Sequence, residues 1–466
     1  MVKKLFGYSM ATWLGALISF VLMPVASHLY SSHELGAINY YYSIINIIFT
    51  IVLLGLDQAY LRFFFEYNEI ERKRQFTRNI IFTVGLVFVL CALCFPFSNK
   101  ISKWLIDTEA SIICVIILLH LSGLIISRYF VILFRIRSKI ISYTIFSVVN
   151  TILLKSMYLF GYPIKPDAIT GVWITSIISI IIGLLLLAFN RNSLMMSKLV
   201  EKDQITINEF KYAIPLVPAM VFAILNNSIP QIILRSKTDF SNVAVYSIGV
   251  TLASTITLLH NGLNTFLEPY IFSNYESKKE QIAKIMDLFT VIAYIICMFI
   301  VLFQNIFFLV FKRDYIISTQ FLPFLLCSSL WYTLGDFYNV GVKISKRTKE
   351  NISAYFIGFV TNALLSIIII PIFGCLGAAV SAATASAIMA ILKIRKGQKH
   401  YRIISNYKNI VLGALIIIVI SVSNYVLWDS SVKYGVTIAG IVLYVFVSGI
   451  LKDIIALFKK RNGISK

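Results

Sequence analysis

Charged residues make up only 14% of this 466-residue chain, against about 25% in soluble domains. No polar stretch is long enough to fold as a separate soluble domain between the apolar ones. That excludes an active site housed outside the membrane. The chain has five histidines and six cysteines, and no set of four among them falls at metal-ligand spacing. Cys91 and Cys94 form a C-x-x-C, but they sit among Leu, Ala and Phe with no histidine nearby, so they read as packing residues rather than a redox or metal pair. His28, His120 and His260 stand far apart. There is no G-x-x-x-x-G-K-[ST], no nucleophile elbow and no H-E-x-x-H. Catalysis, a bound metal and nucleotide hydrolysis by this chain itself are therefore not expected.

What is present is apolar length. Hydrophobic residues are 58% of the chain and its mean hydropathy is +0.83. A bilayer core needs roughly 20 apolar residues per spanning helix. Fourteen stretches qualify, near 8–30, 37–57, 79–97, 111–134, 141–163, 169–189, 212–233, 243–272, 284–311, 319–342, 352–372, 377–394, 409–428 and 435–458. Only helices and closed barrels satisfy their backbone groups in lipid. The stretches are continuous rather than alternating, which excludes a barrel. The fold expected is all-α, a polytopic membrane protein of about 14 transmembrane helices.

Acidic residues number 21 against 42 lysines and arginines, a net charge of +21. Such an excess invites a nucleic-acid partner, but its distribution argues for topology instead. Thirty-two of the 42 basic residues lie in the terminal segments and in alternate connections, from Lys3 and Lys4 through the Lys393–Lys408 stretch to the Lys452–Lys466 tail. Eight lie in the other connections, and two, Arg128 and Lys155, fall inside spans. By the positive-inside rule the rich side faces the cytoplasm, with both termini there. The opening apolar run exceeds a signal-peptide core in length and reads as a retained first helix.

Helices 1–6 and 7–12 carry traces of a repeat. Gly55-Leu56, Phe65, Glu69, Arg72 and Lys73 recur as Gly262-Leu263, Phe272, Glu276, Lys279 and Glu280 at a constant offset of 207 residues. An even number of helices per unit makes the copies parallel, and a cavity between two such bundles is the expected substrate site. The domain reading is a six-helix bundle over 1–189, a cytoplasmic linker over 190–211, a second bundle over 212–394, and helices 13–14 with a tail over 395–466. Pro24, Pro215, Pro218, Pro230, Pro269 and Pro323 are expected bending points, or residues simply tolerated in membrane helices.

The first 66 residues have a recognisable sequence. Gly7-Tyr-Ser-Met-Ala-Thr-Trp-Leu-Gly-Ala-Leu-Ile-Ser-Phe20 runs into Met23-Pro24, then Tyr30-Ser-Ser-His-Glu-Leu-Gly36 and Tyr40-Tyr-Tyr-Ser43. Leu54-Gly-Leu-Asp-Gln-Ala59 and Leu61-Arg-Phe-Phe-Phe-Glu66 follow. This resembles the Wzx-type polysaccharide flippases of the multidrug/oligosaccharidyl-lipid/polysaccharide exporter superfamily. The resemblance implies two six-helix bundles plus two helices in a bacterial inner membrane. It implies a substrate, an undecaprenyl-diphosphate-linked oligosaccharide carried to the outer leaflet for O-antigen, capsule or exopolysaccharide synthesis. It also implies polymerase and chain-length regulator proteins as partners, beside the bilayer itself.

Moving a diphosphate through hydrocarbon calls for a hydrated, cationic path, and a charge inside a span is a functional candidate by default. Lys155 lies on a polar stripe of Ser147, Thr151, Tyr158 and Tyr162, facing either a cavity or, by snorkelling, the headgroups. Arg128, on a face with His120, Gly123 and Ser127, has the same two readings, and its guanidinium suits phosphate. Arg62 is either a substrate or gating residue or the i,i+4 partner of Glu66. Asp57, five residues earlier, is badly placed to pair with Arg62 and is itself a candidate for gating or coupling. Glu268 and Asp336 are candidates for coupling transport to H+ or Na+, or for pairing with Lys155 or Arg128. No other cofactor is expected. A cation-coupled multidrug exporter, a lipid II flippase and, from another class, a membrane polysaccharide polymerase remain alternatives; the short outer loops weigh against the polymerase.

Overall fold

The computed structural model describes residues 20–137, 140–194, 204–345, 347–404 and 407–449, with positions 14, 17 and 18. Among the described residues the chain is helical and without strands, and nine helices are long and apolar enough to cross a bilayer. Each of the fourteen apolar stretches carries a helix. By its internal contacts the chain divides into two units, Met1–Ser247 and Ile248–Lys466.

The first unit holds α1 (Phe20–Leu29), α2 (Ser32–Val52), α3 (Leu56–Phe63), α4 (Glu69–Cys94), α5 (Ser98–Ile106), α6 (Ile113–Ile136), α7 (Ile140–Ser156), α8 (Ala168–Phe189), α9 (Gln204–Ala213), α10 (Val217–Lys237) and the first half of α11 (Phe240–Ala253). Its helices start where local chemistry dictates. Asn68 and Glu71 form a reciprocal capping box at α4, with bonds of 2.8 and 2.9 Å. Asp167 caps α8 by accepting from the Thr170 amide at 3.0 Å, while Glu34 accepts from the Ala168 amide. Burial pushes the Asp167 carboxyl up, but its bonds from Lys165 and Thr170 outweigh that and hold it below the usual carboxylate range. Between α2 and α3 the chain turns sharply at Leu54 and Gly55, both with positive φ. Gly55 is required twice over there: its φ is +72°, and an added Cβ would stand 2.8 Å from the carbonyl oxygen of Ala213.

That contact places α9. The connection expected as a linker over 190–211 contains the start of a helix, and α9 docks on α3 through Ala213 and Phe210 against Leu56, Ala59, Leu54 and Phe63. α9 also carries Glu209, fully buried. Its ion pair with Arg78 of α4 offsets part of the cost of that burial, and Arg78 also bonds Thr206.

The second unit continues with α12 (Thr255–Asn274), α13 (Lys279–Leu302), α14 (Gln304–Phe308), α15 (Leu322–Phe337), α16 (Val340–Ile344), α17 (Asn351–His400), α18 (Lys408–Val426) and α19 (Val432–Ser448). α17 is two spans in one run of 50 residues. Gly374, at φ 53° and ψ −127°, breaks it three residues after Pro371, inside the gap expected between 372 and 377. α15 packs along the second part of α17, with Ser328 bonding Ser386 at 2.9 Å. α16 meets α17 glycine to glycine: a Cβ on Gly341 would overlap the Gly397 carbonyl, and one on Gly397 the Tyr338 carbonyl. α18 and α19 are fastened by side-chain hydrogen bonds. Tyr294 donates to the Ile410 carbonyl at 3.1 Å, Tyr444 to that of Asn409 at 2.9 Å, and Gln304 to Asn424 at 2.6 Å.

The prolines divide by position. Pro218 and Pro323 stand in the first turns of α10 and α15, and Pro215 opens a 3-10 turn. A missing N–H is harmless at a helix start, so Pro323 begins α15 rather than bending it, whereas Pro215 and Pro218 lie where α9 passes through the 3-10 turn into α10 within one helical run, Thr206–Lys237. Pro230 lies inside α10.

Candidate functional site

In the first unit the intramembrane charges form a specific pair. Asp57 of α3 is 1% exposed, and its Oδ2 accepts from Arg128 Nε at 3.1 Å and Nη2 at 2.8 Å. Gln58 Nε2 donates to the same oxygen at 2.9 Å. The Arg128 side chain is 40% exposed. The geometry is asymmetric: a buried carboxylate holds a guanidinium from behind and leaves part of it open to a ligand. Asp57 Oδ1 is buried with no protein hydrogen-bond partner among the described residues, as are both amide atoms of Gln75, Asn79 Nδ2 and the Tyr129 hydroxyl. All lie on α3, α4 and α6. Buried polar atoms without protein partners mark a place for water or a polar ligand. Arg62 pairs with Glu66, its i,i+4 neighbour, and lies near the Phe63 ring.

A second cluster closes the opposite, lysine-poor end of the same unit. Asp107, with φ 59°, ends α5. It accepts from His33 Nε2 at 3.2 Å and from Arg235 Nη2 at 3.4 Å. The Arg235 guanidinium stacks over Phe240 at 4.0 Å, and His33 meets the same ring edge-on. Gly36 of α2 lies so close to the Phe240 carbonyl that no Cβ would fit. Thus α2, α5, α10 and the start of α11 are latched together at this end.

The second unit contains a four-charge chain. Lys343 Nζ lies 2.5 Å from Glu268 Oε1 and 3.4 Å from Asp336 Oδ2. The other oxygen of Asp336 is 3.6 Å from Lys393 Nζ. Lys393 is 0% exposed. Its ammonium donates to the Tyr355 hydroxyl at 3.1 Å and lies over the rings of Tyr355, at 4.2 Å, and Tyr332, at 5.0 Å. Glu268, Lys343, Asp336 and Lys393 come from α12, α16, α15 and α17. Two anions and two cations alternate, so four helices share a neutral network in place of four isolated buried charges.

The structure thus brings Arg128 to Asp57, and Glu268 to Asp336 through Lys343, which is neither Lys155 nor Arg128. Lys155 belongs to α7, but its side chain lies outside the described residues. Sequence reasoning missed Lys343 and Lys393 as site residues because both were counted among the basic connections. A signal existed for Lys393: it sits at the end of an apolar, Ala/Ser-rich stretch in register with the face toward α15.

Comparison with known proteins follows the same lines. The fold is similar to that of the lipid II flippase MurJ in an inward closed conformation, with a TM-score of 0.64 at 16% identity, covering 96% of this chain and 99% of that one. The MATE multidrug transporter DinF-BH matches with a TM-score of 0.58 at 16% identity, over 86% of this chain and 96% of its own. An inward-facing multidrug resistance MATE family transporter of the MOP superfamily matches at 0.53 and 12% identity, over 85% and 93%. No curated protein matches the sequence. Residues 1–275, more than half of the chain, match the family described as polysaccharide biosynthesis protein, and the chain belongs to that family, as an all-α polytopic membrane protein with the fold of MOP-superfamily transporters.

Proposed function

We propose that the chain is a flippase that carries undecaprenyl-diphosphate-linked oligosaccharides from the cytoplasmic to the outer leaflet of a bacterial inner membrane by alternating access. The observation that carries this reading is the extent of the match. The lipid II flippase covers 96% of this chain, whereas the drug transporters leave about a seventh of it uncovered, comparable in length to residues 395–466 with α18 and α19. The lysine-rich helix ends and both termini would face the cytoplasm.

Arg128 is the residue to bind phosphate. A guanidinium can give a phosphate two parallel bonds, and Asp57 fixes its plane from the buried side. Lys155 and Arg62 extend the cationic path. In the second unit Lys343 is held by two carboxylates, and neutralising either, by a proton or by Na+, would release it toward an anion. Glu268 and Asp336 would couple transport in that way. The same lysine bonds weigh against a cationic-drug exporter, whose carboxylates must be free for substrate. Polymerase and chain-length regulator proteins would act on the exported product.

The test is accumulation of undecaprenyl-linked repeat units on the cytoplasmic side, with protein level controlled. Lys155→Arg should retain more export than Lys155→Gln, and Lys155→Glu the least, because an added carboxylate repels the diphosphate. Export by the glutamate variant equal to the parent's would overturn the cationic-path mechanism. Accumulation of lipid II instead would make the substrate the peptidoglycan precursor.

A further inference from the structure

Apart from these charge clusters, the second unit has a cavity of about 830 Å³ between the first two turns of α13, the α17–α18 connection and the start of α18. Four cations line it, Lys279, Lys284, Arg402 and Lys408, against the carboxylates Glu280 and Asp287. Asp287 is already satisfied: both its oxygens accept from Asn409 Nδ2, at 3.0 and 2.9 Å. Lys279 lies over the Tyr401 ring at 5.6 Å, and Lys408 donates to the Val447 carbonyl at 3.1 Å. Lys284 and Arg402 have no ion-pair partner among the described residues. The floor is apolar, with Ala283, Ile403 and Ile404.

We propose that this cavity binds the phosphate headgroup of an anionic membrane lipid, a site independent of whatever the chain transports. The volume lies within the range of ligand pockets, and basic pockets between membrane helices take anionic headgroups. The uncapped first turns of α13 and α18 add their partial positive charge to the lysines and arginine. A lipid rather than a free ion fits what lies next to the cavity. One turn along α18 from Lys408, an exposed apolar stripe begins at Val411 and continues through Leu415, Val419 and Val422. A phosphate held at Lys408 and Arg402 would therefore leave its acyl chains on a face already suited to lipid. The site would tie α18 and α19 to α13 at the membrane surface.

The experiment is native mass spectrometry of the purified full chain with added phosphatidylglycerol or phosphatidylcholine, with a parallel arm of inorganic phosphate. The parent should retain phosphatidylglycerol selectively. Lys284→Gln with Arg402→Gln should lower that retention on the order of thirtyfold, from about one surface-charge interaction lost at each position. Lys165→Gln, an exposed lysine in the first unit, should leave it unchanged. The unfolding midpoint of the parent should rise with phosphatidylglycerol and fail to rise in the double variant. Equal retention of both lipids, or unaltered retention in the double variant, overturns the site. Protection by inorganic phosphate equal to that by phosphatidylglycerol overturns the lipid assignment.

Discussion

Replacing Lys393 with methionine tests whether the four-charge chain is one unit or two neighbouring pairs. The lysine is fully buried and its ammonium stands 3.6 Å from Asp336. At an effective dielectric constant of about 20, that separation corresponds to a gross attraction of about 4 to 5 kcal/mol, much of it cancelled by desolvation. Lys393→Met fills most of the same volume but leaves two carboxylates facing one lysine. Breaking a buried pair by removing one partner costs about 3 to 5 kcal/mol, and Lys343 at 3.4 Å from Asp336 keeps the value near the lower end. Adding Asp336→Asn restores neutrality, because Glu268 and Lys343 remain as a pair. The double variant should then recover about 2 kcal/mol, short of the parent by the cation–π contacts with Tyr332 and Tyr355, about 1 kcal/mol. The assay is the unfolding midpoint of purified protein titrated with a denaturing detergent, run as a full double-mutant cycle. A double variant as unstable as the sum of the single ones would refute a shared network.

Arg128→Gln should reduce export at least tenfold, while Arg128→Lys keeps part of it; equal export by all three proteins would remove Arg128 from the substrate path. Gly36→Ala puts a Cβ into the Phe240 carbonyl, so the lysine-poor end should open, and a cysteine introduced at Asp239 should label faster from outside; an unchanged rate would show that the latch yields elsewhere. Asp167→Ala should cost about 1 kcal/mol at the α8 cap. Since the folded-state pKa of Asp167 is lowered, its stabilisation should be constant at neutral pH and vanish only as pH falls through that lowered value. A gap between parent and variant unfolding midpoints that closes near neutral pH would contradict this.

The helical spans were legible because hydropathy alone sets them in a membrane. The break at Gly374 was legible too, since proline and glycine interrupt the apolar run there. Partnerships were not legible. Asp57 and Arg128 lie 71 residues apart, and no periodicity links α3 to α6. α9 was hidden for a different reason. Its polar beginning reads as loop, while its docking face consists of Phe210 and Ala213, too few residues to announce a helix. Lys343 and Lys393 were concealed by their own position. A lysine at a helix end looks the same in one dimension whether it ends in water or under four helices.

Lys393 therefore has two careers in the life of the molecule. As the chain is being inserted, each hydrophobic segment is oriented before its neighbours have assembled, and a lysine at the segment's end acts as a topological anchor. Once α12, α15 and α16 close around α17, the same ammonium is fully enclosed and no longer marks the surface. Assembly of this half of the protein thus has an order built into it. The lysine is solvated during insertion and desolvated afterwards, and the arrival of Asp336, Tyr332 and Tyr355 offsets the cost of the second step. A change that spares the finished network but removes the charge during insertion would show up as misoriented nascent protein and not as a loosened bundle.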